Sequence, residues 1–183
     1  MTWGDAPASR APGRIYTDEG VYREELERFF YRGHWCYVGL ENEVPGTGDF
    51  KKTVVGERRV VMVRDAAGEI HVVENRCAHR GVAFCRERTG TVKSFICPYH
   101  QWNYKLDGSL QGLPFRRGVK RDGEVQGGMP ADFNRADHGL TKLKVARRGG
   151  AADVTQGFAA TCNSKTRACS TWCPSPGGAG RRW

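Results

Sequence analysis

The chain has 183 residues, enough for one domain or one domain with an appendage, and its 24 glycines and negative mean hydropathy suit a loop-rich β fold better than a helix bundle. A net charge of +9 points to an acidic redox protein, nucleic acid or a membrane surface as partner, or to a solvated basic surface. No stretch approaches the roughly 20 apolar residues of a membrane span, and Met1-Thr2-Trp3-Gly4-Asp5 has no basic region leading into an apolar run, so the cytoplasm is the expected compartment.

Residues 1–14, rich in Ala, Pro, Gly and Arg, read as a flexible arm. Residues 15–34 read as a helix capped by Thr17, with Asp18 and Glu19 in its first turn, a face of Tyr22, Leu26, Phe29 and Phe30, and Gly33 as its stop. From Trp35 the pattern turns to strands: Trp35–Leu40, then Phe50–Val55, Arg58–Arg64 and Glu69–Glu74 between tight turn signals, an antiparallel meander. Thr91–Ile96 reads as the next strand, and Asn103–Leu106 with Leu110 as a hairpin across Asp107-Gly108-Ser109. Residues 112–139 read as a long surface excursion. Leu140–Ala146 alternates as a strand and runs into Arg148-Gly149-Gly150, which predicts a partner strand just beyond. Residues 151–183 contain no Leu, Ile, Met or Tyr, so the expectation is that this partner is missing and that 149–183 is a disordered or aberrant tail.

The chemistry gathers in two short stretches, Cys77-Ala78-His79-Arg80-Gly81 and Cys97-Pro98-Tyr99-His100-Gln101-Trp102, with 17 residues between His79 and Cys97. The seven cysteines, at 36, 77, 85, 97, 162, 169 and 173, are an odd number, which in a reducing compartment favours metal ligation over a disulfide framework. Each stretch offers one thiolate and one imidazole. A Rieske [2Fe–2S] centre takes two Cys on one iron and two His on the other, so Cys77, His79, Cys97 and His100 are the candidate ligands. Around them, Gly81 permits close backbone approach or positive φ, Pro98 stiffens its loop, Trp102 packs beneath the cluster, and Arg80 lies at the surface towards a partner. The competing site is zinc in a basic binding module. Structural zinc sites usually take two Cys from one element and two His from another, whereas here each loop mixes the two. Cys36, Cys85, His34, His71 and His138 read as core, surface or strand residues, and Cys162, Cys169 and Cys173 lack a fourth donor.

Residues 15–148 resemble the N-terminal Rieske domain of the large (α) subunits of aromatic-ring-hydroxylating dioxygenases. The likeness rests on Phe30-Tyr31-Arg32-Gly33-His34-Trp35, Gly48-Asp49-Phe50, Asn75-Arg76-Cys77-Ala78-His79-Arg80-Gly81, Cys97-Pro98-Tyr99-His100-Gln101-Trp102-Asn103-Tyr104 and Gly112-Leu113-Pro114-Phe115. It implies a mainly β fold, a Rieske-type antiparallel β sandwich with two cluster-binding loops behind an N-terminal helix. Val82 and Tyr99 stand where the cytochrome-complex branch carries a disulfide, which places the chain with the soluble, lower-potential branch. The resemblance further implies electrons from NAD(P)H through a flavin reductase or ferredoxin, and a mononuclear Fe(II) in a separate catalytic domain. It implies an α-subunit trimer with a small β subunit, no nucleic acid or membrane partner, and an aromatic acid such as salicylate, anthranilate or benzoate as substrate. No two-His-one-carboxylate set is legible in the remainder of this chain, so turnover by it alone is not expected. A truncation or reading-frame shift near residue 150 is expected to account for the change of pattern there. A stand-alone Rieske electron carrier is the alternative.

Overall fold

The computed structural model describes residues 11–32 and 34–155. Twelve strands follow a short helix: β1 (Trp35–Leu40), β2 (Asp49–Val55), β3 (Arg58–Arg64), β4 (Ile70–Glu74), β5 (Thr89–Thr91), β6 (Phe95–Ile96), β7 (Asn103–Tyr104), β8 (Leu110–Gly112), β9 (Val119–Arg121), β10 (Glu124–Gln126), β11 (Lys142–Arg148) and β12 (Ala151–Thr155). Seven form one antiparallel sheet in the order β1-β12-β11-β4-β3-β2-β5; β6-β7-β8 form a second and β9-β10 a detached hairpin. The expected mainly β sandwich is therefore what the chain builds.

The apolar run Val60-Val61-Met62-Val63 reads continuously because β3 is covered on both faces. Val61 and Val63 join Phe50, Val73, Phe95, Tyr104 and Leu110 between the two sheets, around the candidate loops. Val60 and Met62 join Val38, Val44, Val55, Val72 and Val154 on the other face. The meander β2-β3-β4 is in register through Phe50↔Val63 and Val61↔Val73.

Several expectations are corrected. The helix is not one element: a 3₁₀ turn (Gly13–Tyr16) leads to α1 (Glu19–Glu25) and then to a π-helical turn (Leu26–Tyr31). Its cap is Asp18, not Thr17; the Asp18 carboxylate accepts from the Val21 N–H at 3.1 Å. The π turn breaks the predicted face, burying Leu26 while Tyr22 and Phe29 stay 42% and 54% exposed. Gly33 and the arm up to residue 10 lie outside the described residues. The strand expected over Thr91–Ile96 is two: β5 pairs with β2 in the large sheet, and after Ser94 the chain crosses to pair β6 with β7. Within the supposed surface excursion, Asp122-Gly123, both at positive φ, turn β9 into β10.

The largest correction concerns the partner of β11. It is present: β12 pairs with β11 through Val145↔Val154 and with β1 through Cys36↔Val154. Gly149 and Gly150, at φ +57° and +81°, make the two-residue turn. Ala152 and Val154 alternate inward and are both fully buried. Two apolar side chains suffice because the strand is held on both edges. The sheet thus extends to at least Thr155, five residues beyond the turn after which a partner strand is expected to be missing. Residues 156–183, with Cys162, Cys169 and Cys173, lie outside the described residues.

Candidate iron–sulfur site

The two candidate loops share one backbone design. In the first, the Cys77 N–H donates to the Val82 carbonyl at 2.9 Å and the Gly81 N–H to the Cys77 carbonyl at 2.8 Å. In the second, the Cys97 N–H donates to the Trp102 carbonyl and the Gln101 N–H to the Cys97 carbonyl, both at 2.9 Å. The offsets from each cysteine are identical, and the residue four positions on is left-handed in both loops, Gly81 at φ +72° and Gln101 at φ +56°. That conformation costs glycine little and a residue with a Cβ about 1–2 kcal/mol. The loops differ in where the histidine falls, two positions after Cys77 but three after Cys97.

Facing one another, the loops sort their donors by type. Cys77 and Cys97 are 3% and 1% exposed, and the Cys97 side chain lies close enough to push the Cys77 thiol up. The His79 and His100 rings meet edge to face with centroids 4.5 Å apart. Among the described residues no three His, Cys, Asp or Glu side chains are grouped to hold one metal ion. Two like pairs, sulfur beside sulfur and nitrogen beside nitrogen, are instead the donor set of a two-iron cluster with mixed ligation. Nδ1 of His79 is buried and has no hydrogen-bond partner. A buried nitrogen with nothing to bond is costly unless something else takes its lone pair, and a metal would. The residues present therefore fit a [2Fe–2S] group.

Burial holds His79 below the usual imidazole range, and the neighbouring charges of His100 and Arg80 push the same way, which favours the neutral form that a metal ligand needs. Burial pushes the Cys77 thiol up, and a hydrogen bond from Tyr104 opposes that rise.

Trp102 is 4% exposed and stacks on His79 with ring centroids 4.8 Å apart at 6°. The Tyr99 ring, 56% exposed, sits 3.8 Å from that of His100. Arg80 is at the surface. Cys36, Cys85, His34 and His71 are elsewhere; His71, for instance, bonds Asp65 at 2.7 Å. His138 is nearer than foreseen. It stacks on Phe133 at 4.5 Å, and both set their edges to Trp102, so the end of the supposed excursion folds over the site.

Two residues that the sequence motifs contain without assigning them a part stand at the site. Tyr104, fully buried, places its hydroxyl 3.1 Å from Cys77 Sγ and accepts from the Ala78 N–H at 3.2 Å. Burial, then the contact with Cys77, drives its pKa far above the usual phenol value. The only hint in sequence was a tyrosine two residues beyond Trp102 in the same strand run. The other is Asn75, the one buried polar side chain among the described residues.

Comparison with known proteins agrees with this geometry. A family model for the Rieske [2Fe-2S] domain matches residues 34–141. The chain belongs to the Rieske [2Fe–2S] domain family, whose members bind a [2Fe–2S] cluster. It is 66% identical over 149 residues to the large oxygenase component of salicylate 5-hydroxylase from Ralstonia sp., covering 81% of this chain and 35% of that protein. It is 46% identical to the anthranilate 1,2-dioxygenase large subunit of Burkholderia cepacia, covering 75% and 31%. Among solved structures, naphthalene 1,2-dioxygenase from Rhodococcus sp. bound to indole superposes with a TM-score of 0.68 at 31% identity, over 79% of this chain and 31% of that one. The chain thus spans about a third of the length of these relatives. No helix among the described residues is long and apolar enough to cross a membrane.

Proposed function

We propose that Cys77 and Cys97 hold one iron of a Rieske cluster, that His79 and His100 hold the other, and that the chain is the electron-accepting unit of a ring-hydroxylating oxygenase. The observation that carries this is the sorting of four donors into a sulfur pair and a nitrogen pair on two matching loops. When bound, such a cluster takes up and passes on one electron at a time. The protein's own residues exclude water beneath it with Trp102, keep His79 neutral by burial, and donate towards the Cys77 sulfur from Tyr104. The electron donor is a flavin reductase or a ferredoxin, and the oxygen-activating iron belongs to a part of the oxygenase beyond the described residues. Identities to a salicylate hydroxylase and an anthranilate dioxygenase support an aromatic acid as substrate, and free thiols suit a reducing cytoplasm.

Purified protein tests the reading. Two irons and two sulfides per chain, with a reduced-state EPR signal lost in His79→Ala and His100→Ala but kept in His71→Ala, are expected. Stoichiometric zinc, or a signal that survives both ligand substitutions, refutes the assignment. With reductase and salicylate, the chain alone is expected to be reduced without hydroxylated product; product would place the oxygen-activating site within it.

A further inference from the structure

The two ligand loops are alike in backbone but not in what anchors them. Two residues before Cys97, Phe95 is in a strand and pairs with Tyr104, and Ile96 pairs with Asn103, so a β ladder closes the second loop at its base. The chain around the first loop has no such ladder. Beyond the Cys77–Val82 bond, residues 82–86 belong to no strand. Two residues before Cys77 stands Asn75, 4% exposed. Its Nδ2 donates to the Cys85 carbonyl at 2.7 Å, and its Oδ1 accepts from the Cys85 N–H at 2.9 Å. Its own N–H donates to the Arg59 carbonyl of β3 at 2.8 Å.

This is a complete exchange of donor and acceptor between one side chain and the N–H and C=O of one residue. A side-chain amide has the same donor–acceptor pair as a backbone peptide, so Asn75 supplies with its side chain what Phe95 and Tyr104 supply with their backbones. The two bonds also fix which way the amide faces. They hold in place the segment that carries Phe84, whose ring lies 5.0 Å from Phe95 and 6.3 Å from Tyr104. Tyr104 in turn touches Cys77 and Ala78. The clasp therefore fixes the first loop both to β3 and, through Phe84 and Tyr104, to the second loop.

We infer that Asn75 is a positioning residue for the Cys77–His79 loop, a side-chain clasp standing in for the missing strand pair. It touches neither candidate donor and acts on them only through the backbone. The inference rests on the ligand reading above only for its consequence at the cluster; the clasp itself is a claim about the polypeptide, so the two fail separately. An apolar side chain at 75 leaves the Cys85 peptide buried without partners, and the loop loosens locally while the second loop keeps its ladder.

Peptide-resolved hydrogen exchange on the full chain, cluster-loaded and metal-free, tests this in Asn75→Ala. Exchange in residues 77–85 is expected to rise at least about tenfold, the equivalent of one lost hydrogen bond of about 1.4 kcal/mol, with residues 95–104 unchanged. In the loaded protein the reduction potential is expected to move away from that of the unsubstituted chain. Asn75→Ser, which keeps a hydroxyl able to bond one of the two Cys85 backbone groups and adds no charge, should show a smaller effect of the same kind, and it decides the matter should Asn75→Ala fail to fold. An equal rise in both loops, or none in the first, overturns the clasp. A selective rise in a chain that never binds a cluster upholds the clasp and refutes the ligand assignment instead.

Discussion

Tyr104→Phe isolates one atom of the site. The ring is fully buried and its packing against Phe84 survives the change, so the hydroxyl alone is removed. That hydroxyl donates towards Cys77 Sγ over 3.1 Å. A hydrogen bond to a charged acceptor contributes about 1.5–3 kcal/mol, and it strengthens as the acceptor gains negative charge. Only part of the added electron's charge resides on one sulfur, so the bond favours the reduced state by about 1 kcal/mol. With 59 mV per tenfold for a one-electron couple, that is about 40 mV. The substituted protein should therefore have a reduction potential lower by about 40 mV in a spectroelectrochemical titration. Because burial and the Cys77 contact push the phenol well above its ordinary range, the difference should persist to about pH 10. The Ala78 N–H also loses its acceptor, costing about 1 kcal/mol of stability. A potential that is unchanged or higher in Tyr104→Phe, with the fold and cluster content intact, refutes the reasoning.

The other expected outcomes concern stability, each read by denaturation of the loaded chain. Gly81→Ala should destabilise by about 1–2 kcal/mol, since φ is +72° and the new Cβ comes within 3.1 Å of the Arg76 side chain. Gln101→Gly, at the matching position of the second loop, should be neutral or slightly stabilising, because relief of its φ of +56° is offset by greater unfolded-chain entropy; the reverse order would contradict the likeness of the loops. Val154→Ala should cost about 2 kcal/mol for two buried methyl groups and the space they leave, and a change near zero would mean β12 is not part of the core. Burial raises Asp107, but bonds from the Ser109 hydroxyl and N–H and the nearby Lys142 outweigh it and hold the carboxyl at about 2. Its folded pKa being depressed, its contribution is present above pH 4 and lost as the pH falls towards 2; melting temperatures over that window should fall less steeply in Asp107→Asn.

What could be read from the sequence were features that repeat locally. The turn signals on either side of Arg58–Arg64 mark a strand of a meander, and the paired Cys–His stretches mark a candidate site. Tyr104, Phe133 and His138 reach the site only because the sheets bring distant segments together, and no spacing signals that. β12 is hidden by its surroundings: its five residues open a stretch of thirty-three whose composition is poor in large apolar side chains, and only the turn at Gly149-Gly150 signals the strand. Asp122-Gly123 was a hairpin signal of the same kind, overlooked inside a polar stretch. The π turn had no signature at all, since the residues of a helical face look the same whether or not one is inserted.

β12 lies beside β1, and Trp35 pairs with Thr155. The first and last described residues of the sheet are thus one strand spacing apart, about 5 Å. A unit whose two ends leave side by side can be set into another polypeptide, or exchanged between polypeptides, with little disturbance to what flanks it. In those terms the sheet is a cassette: whatever polypeptide flanks it has only a single narrow gap to bridge.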